Sequence, residues 1–155
     1  MPEIIAVCTA NICRSPVVEA VLRDRLAAKG LEDWRVLSAG TWAQNGQAAS
    51  LYSREILAER GLDISGHVSK VITLEMLEQA DLVLCLETGH AEALRAEFPQ
   101  HAAKIFLLTE MIGHRYSISD PYGGPRDGYE RMINDVTELI EAGLPRIIEL
   151  ATTHE

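Results

Sequence analysis

The stretch Ile4-Ile5-Ala6-Val7-Cys8-Thr9-Ala10-Asn11-Ile12-Cys13-Arg14-Ser15-Pro16 decides the fold. Its first four residues are a short apolar run that ends in a polar loop, and they read as a buried strand. Ser is a favoured N-cap and Pro a favoured first helical residue, so Ser15-Pro16 opens an amphipathic helix over 16–29. In a strand–loop–helix of this kind the loop N–H groups and the helix N-terminus converge on one point and make an anion site. Cys8 falls at the floor of that site and Arg14 at its rim, with five residues between them. An ordinary thiol, with a pKa of about 8.5, is only ~3% ionised at neutral pH. Here several N–H groups, a helix end, a guanidinium and a hydroxyl all favour the anion. The pattern reads as a nucleophile lying under a bound oxyanion.

Outward from this stretch, residues 34–39 read as a second strand ending at Gly40, and 41–49 as a loop with Asn45-Gly46 as its turn. Ser50 is positioned to cap a helix through Arg60, closed by Gly61. A short helix over 74–79 precedes an apolar strand at 82–86. Thr88 is positioned to cap a helix reaching about Glu97, and 104–108 supply a fourth strand. The segment 113–128 is a long Gly-, Ser- and Pro-containing loop of the kind that is usually functional or disordered. A last helix over 129–151 carries Ile133, Val136, Ile140 and Leu144 on one face, with Pro145 expected to kink or break it. Four short strands alternating with helices give an α/β fold: a four-stranded parallel sheet with helices on both faces. Ligands in such sheets sit beyond the carboxyl ends of the strands, and Cys8 lies at such an end.

Length and composition narrow the function. A chain of 155 residues forms one domain and buries about 68–70% of its unfolded surface. A net charge of −9 argues against a nucleic-acid surface. No apolar run is long enough to span a membrane. The start, Met1-Pro2-Glu3, lacks the basic region of a secretory signal, and three cysteines without a paired framework fit a reducing compartment, so a cytoplasmic chain is expected. His90, His101, His114 and His154 fall in unrelated segments with no paired ligand spacing, so no metal site and no cofactor is expected.

The string from Val7 to Pro16 resembles the phosphate loop of the low-molecular-weight protein tyrosine phosphatases. That family includes protein-arginine phosphatases and one class of arsenate reductases. The resemblance covers nearly the whole chain and implies one phosphatase domain over 1–155, with the phosphate loop between the first strand and first helix. It implies Cys8 as nucleophile and Arg14 as a bidentate holder of two phosphoryl oxygens, a fork lysine cannot make. Thr9, Ala10, Asn11, Ile12, Cys13 and Ser15 complete the phosphate site. Ser15 has two compatible readings, as helix N-cap and as a hydroxyl donor to the sulfur. Asn11 suits a left-handed conformation, and by resemblance it is held by Ser15, Ser38 and His67. Asp120 of Asp120-Pro121-Tyr122 matches the family's general acid. It would protonate the leaving phenol and then activate water, and a nearby phosphate dianion would favour its protonated form. Cys13 reads either as a small apolar filler or as the partner that traps oxidised Cys8 in a disulfide. Cys85 reads as a core residue.

Several positions depart from the family pattern. Ala10 replaces a usual glycine, at roughly 1–2 kcal/mol if that site needs positive φ. Trp42 lies in a loop close to, but not aligned with, the family's usual aromatic wall, and Trp42 and Tyr122 are the candidate entrance residues. Gly123-Gly124 after Tyr122 resembles the arginine-phosphatase branch, whereas Ile12 resembles the tyrosine-selective members, arginine-selective ones tending to threonine there. The expected function is hydrolysis of phosphotyrosine in phosphorylated protein substrates through a phosphocysteine. A protein-arginine phosphatase is the alternative. Arsenate reduction is disfavoured because it needs further thiols near the site. A non-catalytic phosphate-binding module would need neither thiolate nor acid.

Overall fold

The structure, a computed structural model, describes residues 1–153, so His154 lies outside the described residues. In chain order it contains β1 (Glu3–Cys8), α1 (Ser15–Ala28), β2 (Arg35–Gly40), α2 (Leu51–Glu59) and α3 (Leu74–Gln79). β3 (Leu82–Cys85), α4 (Thr88–Glu97), β4 (Ile105–Leu107) and α5 (Arg126–Thr152) follow. The strands are all parallel and lie in the order β2-β1-β3-β4. β1 is buried from end to end because its side chains alternate between two cores. Ile4, Ala6 and Cys8 face the layer with α1, α2 and α5, while Ile5 and Val7 face Leu77 of α3 and Ala91 and Leu94 of α4. The strand order reverses at β1, since β2 lies on one side of it and β3 on the other. Cys8 ends β1 at this switch, where a sheet of this kind opens a crevice.

Several helix ends differ from the local expectation, each because a tertiary partner claims the capping group. Ser15 is the first residue of α1, not its N-cap: Arg14 holds the cap position and makes no side-chain cap bond. Ser50 precedes α2, but its hydroxyl meets Cys13 Sγ at 3.0 Å in place of a helix N–H. At α4 the cap position belongs to Glu87, and the Thr88 N–H is taken by Ser117 Oγ at 2.9 Å. Among the described residues only Thr73 caps its helix with its own hydroxyl, accepting from the Met76 N–H at the start of α3. Two 3₁₀ turns, Pro99–Lys104 and Leu108–Ile112, flank β4.

α5 begins at Arg126, within the segment expected to be loop. Arg126 is drawn into the first turn by Glu130 one turn on and by Glu55 and Glu59 of α2, and Asp127 complements the helix N-terminus. The helix runs unbroken through Pro145. That proline is on the solvent face, where the carbonyl it leaves unpaired can take water. Ile140, Leu144, Ile147 and Ala151 on the opposite face stay buried across it. Each such aliphatic side chain contributes about 1.5–3 kcal/mol through burial, enough to carry one lost helical bond.

Candidate active site

The loop between β1 and α1 turns its carbonyls outward. Thr41, Trp42 and Ser50 donate their N–H groups to the carbonyls of Cys8, Thr9 and Ile12. The Asn11 carbonyl accepts from His67 Nε2 at 2.7 Å, and the Cys13 carbonyl from Ser53 Oγ at 3.0 Å. β2 approaches so closely here that a Cβ on Gly40 would lie 2.3 Å from the Thr9 carbonyl oxygen, which excludes any other residue at 40. The turn needs one left-handed residue, and Asn11 supplies it with φ +60°. Ala10 is not at positive φ, so the expected cost of its methyl does not arise.

Asn11 is fully buried and its amide is spoken for at both ends. Its Oδ1 accepts the Lys70 N–H at 3.0 Å, and its Nδ2 donates to Ser15 Oγ at 2.8 Å and to Ser38 Oγ at 3.0 Å. Ser38 donates its own hydroxyl to the Glu19 carboxylate at 2.8 Å. Ser15 therefore accepts from Asn11, and its own O–H has two acceptors in reach, Cys8 Sγ at 2.9 Å and the Ala39 carbonyl at 3.5 Å. The shorter of the two contacts is to the sulfur, so the hydroxyl is placed to donate to Cys8.

Arg14 is only 1% exposed. Its Nη1 donates to the Ile118 carbonyl at 2.7 Å and lies 2.7 Å from Glu87 Oε2. Its Nη2 has only longer neighbours, Thr9 Oγ1 at 3.4 Å and Asp120 Oδ2 at 3.6 Å. Nε has no hydrogen-bond partner, alone in this among the buried side-chain nitrogens and oxygens of the described residues. The Nη1 end is thus anchored to protein, and the Nε/Nη2 edge is the fork left for an anion. Beside it, His90 is buried on the first turn of α4, its Nε2 at 2.9 Å from Thr9 Oγ1. Burial pushes the His90 imidazole down to about 4, reinforced by Arg14 and opposed by Glu87 and Asp120.

The long loop is fastened at Ile118, whose N–H donates to the Leu86 carbonyl at the end of β3 while its own carbonyl holds Arg14. Two residues on, Asp120 Oδ1 accepts the Tyr122 N–H at 3.0 Å and Oδ2 faces Arg14. Cys8, Thr9, Ala10, Ile12, Cys13, Arg14, Trp42, Asp120 and Tyr122 all line one pocket of about 440 Å³, together with Gln44 and Gln47. Asn11, Ser15, Ser38 and His67 support that pocket from behind through the hydrogen bonds above. Cys13 is buried, with Sγ near Ser50 Oγ and Tyr129 OH, and burial raises its pKa against those two hydroxyls. Cys85, in the core of β3, is pushed up to about 12 by burial.

Four contributors escape a reading by motif: Glu19, Glu87, His90 and Ile118. Glu87 and His90 sit three apart with Glu87 before the helix, a pattern that marks a helix start and carries no sign of the arginine it meets. His90 reaches a residue 81 positions away.

Residues 3–151 match the model of the low molecular weight phosphotyrosine protein phosphatase family. A protein-arginine-phosphatase of Bacillus subtilis is 35% identical over 139 residues, covering 89% of this chain and 91% of its own. A probable low molecular weight protein-tyrosine-phosphatase, EpsP, of Ralstonia nicotianae is 32% identical over 144 residues, 93% of this chain and 94% of that protein. The crystal structure of a low molecular weight protein tyrosine phosphatase from T. tengcongensis superposes with a TM-score of 0.89 at 36% identity, over 94% of this chain and 99% of the other. With the motif, the sheet order and the match over nearly its full length in agreement, this chain belongs to the low molecular weight phosphotyrosine protein phosphatase family.

Proposed function

We propose that this chain hydrolyses phosphotyrosine in phosphorylated proteins of the cytoplasm, through a phosphocysteine on Cys8. The observation that carries the reading is the pairing of a buried thiol with the buried, unpartnered Nε of Arg14 in one pocket. The loop N–H groups, left to the concave side by the outward carbonyls, and the Nε/Nη2 edge of Arg14 hold the phosphoryl oxygens as charge builds on them. Cys8 Sγ attacks phosphorus, the S–P bond forms and the P–O bond to the phenol breaks. Asp120 gives its proton to the departing oxygen. In the second step Asp120 takes a proton from water, the water oxygen bonds phosphorus and the S–P bond breaks. The leaving thiolate regains the Ser15 hydroxyl as donor. No metal or cofactor is required by these steps, and the three free cysteines suit a reducing cytoplasm.

The choice of phosphotyrosine rests on the pocket wall. Ile12, Trp42 and Tyr122 offer apolar and aromatic surface above the phosphate site, and burying a phenyl ring against it gains roughly 1 kcal/mol or more. A phosphoarginine would bring guanidinium N–H groups that cost about 1–3 kcal/mol each when desolvated without an acceptor. Ile12 has none. The second reading, phosphoarginine, is favoured by Gln44 and Gln47, which line the same pocket; Gln47 Nε2 donates to Gln44 Oε1 at 2.8 Å, so the acceptor left for a guanidinium is Gln47 Oε1. The test is kcat/KM on matched phosphotyrosyl and phosphoarginyl peptides. A phosphotyrosine preference of about ten- to hundredfold is expected, and Ile12→Thr should narrow it with little change towards p-nitrophenyl phosphate. A phosphoarginine preference in the unaltered protein would overturn the substrate assignment.

A further inference from the structure

We propose that His90 is a positioning residue for Arg14 that acts through the Thr9 hydroxyl, as the neutral tautomer with its proton on Nε2. The inference rests on the phosphatase reading of the site. It starts from a count of donors. The Glu87 N–H lies 3.2 Å from His90 Nδ1, and an N–H can only donate, so Nδ1 is an acceptor. The proton of a neutral ring is then on Nε2, which donates to Thr9 Oγ1 at 2.9 Å. Arg14 Nη2 points at the same oxygen from 3.4 Å. Both lone pairs of Thr9 are thereby directed, one towards His90 and one towards Arg14, and its hydroxyl cannot rotate without breaking one of them.

This arrangement completes the hold on Arg14. Ile118 and Glu87 fix the Nη1 end, which alone leaves the guanidinium free to pivot about it. Thr9 Oγ1 at 3.4 Å, with Asp120 Oδ2 at 3.6 Å on the same nitrogen, sets the Nη2 corner and so aims the Nε/Nη2 edge. The opposite tautomer would put an Nδ1–H against the Glu87 N–H, two donors face to face. A doubly protonated ring would do the same. The charged groups that face the ring are Glu87 from its own turn, Arg14 from the start of α1 and Asp120 from the long loop. Burial outweighs the two carboxylates and keeps the ring neutral at assay pH. Both contacts at the start of α4, Glu87 at its cap to Arg14 and His90 in its first turn to Thr9, thus serve one guanidinium.

The test is a double-mutant cycle on p-nitrophenyl phosphate hydrolysis, with inorganic phosphate as competitive inhibitor. His90→Leu should lower kcat/KM about five- to tenfold and weaken phosphate inhibition by a similar factor. Thr9→Val should do the same. His90→Gln, which keeps a donor at the reach of Nε2, should recover most of the loss. In the Thr9→Val background, His90→Leu should add less than about twofold, because the route is already cut. Full additivity would overturn the proposal, as would wild-type kinetics for His90→Leu. Loss of the hydroxyl contact can also be read without turnover. A long-range ¹H–¹⁵N spectrum of the wild-type protein should show the Nε2–H tautomer, and the Nδ1–H tautomer would overturn the assignment. If the wild-type protein does not hydrolyse p-nitrophenyl phosphate at all, the phosphatase reading itself fails, a result distinct from every outcome of the cycle.

Discussion

At the floor of the pocket, Cys8, Asn11, Arg14 and Ser15 are all buried, and among their buried side-chain nitrogens and oxygens only Arg14 Nε lacks a partner. At its rim, Trp42 is 85% exposed and Tyr122 68% exposed, and neither ring packs against a core. The floor is bonded from five segments: β2, the loop after it, the segment carrying His67 and Lys70, the first turn of α4 and the long loop. A side chain held from that many sides cannot be exchanged without loss, and its orientation is already set by the protein. The rim is free to differ at little cost in stability. On the proposed function, chemistry belongs to the floor and selectivity to the rim, and substitutions in the two regions should behave accordingly.

The largest effect should come from the reacting atoms. Cys8→Ala removes the proposed nucleophile and should abolish turnover, by at least about 10⁴-fold, with the fold kept. Arg14→Lys preserves the charge but not the fork, and a loss of about 10²–10³-fold in kcat is expected from steady-state kinetics. Next comes the acid. Asp120→Asn should slow hydrolysis about 10²–10³-fold for poor leaving groups and far less for good ones. Equal losses across a series of aryl phosphates would remove Asp120 from that role. Both kinds of variant should unfold at nearly wild-type temperature where the altered group is partly exposed, as Asp120 is.

Asn11→Ala separates the regions by stability. It strips partners from Ser15, Ser38 and the Lys70 N–H at a fully buried, left-handed position. A loss of about 2–4 kcal/mol in chemical denaturation is expected. Trp42→Ala at the rim should change stability by less than about 0.5 kcal/mol. If the two cost the same, the floor is not the rigid half.

The smallest effect is a dependence on pH. The His90 pKa falls from the ordinary 6.5 to about 4 in the folded chain, so the unfolded chain takes up the proton first. Its contribution to stability is full above about pH 6.5 and is lost as pH falls towards about 4. His90→Gln should flatten the stability curve in that window, and an unchanged slope would place the titration elsewhere.

How much of this was legible before the structure follows from how far each signal reaches along the chain. The strand, loop and helix around Cys8 are read within thirteen residues, because strand burial, a left-handed Asn and an early Pro are all local properties. The alternation of strands and helices then gives the sheet. What stayed hidden are groups recruited from afar. Ser15, Ser50 and Thr88 look like caps, yet each gives up that role to a partner distant in sequence or folded against it. Pro145 reads as a kink or break, but the burial of α5 on both sides of it overrides the lost bond. Gly40 ends a strand in the sequence, and only the 2.3 Å approach to Thr9 shows why nothing larger fits. Glu87 and His90 carry no local mark of the arginine they serve.

The most direct test of the central claim is to trap the intermediate. Rapid acid quench of the protein during turnover of a phosphotyrosyl peptide, followed by peptide mapping under conditions that preserve thiophosphate linkages, should find one phosphoryl group on the segment containing Cys8. The adduct should be absent in Cys8→Ala and should accumulate in Asp120→Asn with a good leaving group, since water activation is then slowed. Turnover that persists in Cys8→Ala, or a phosphoryl group found on any other residue, would contradict the account.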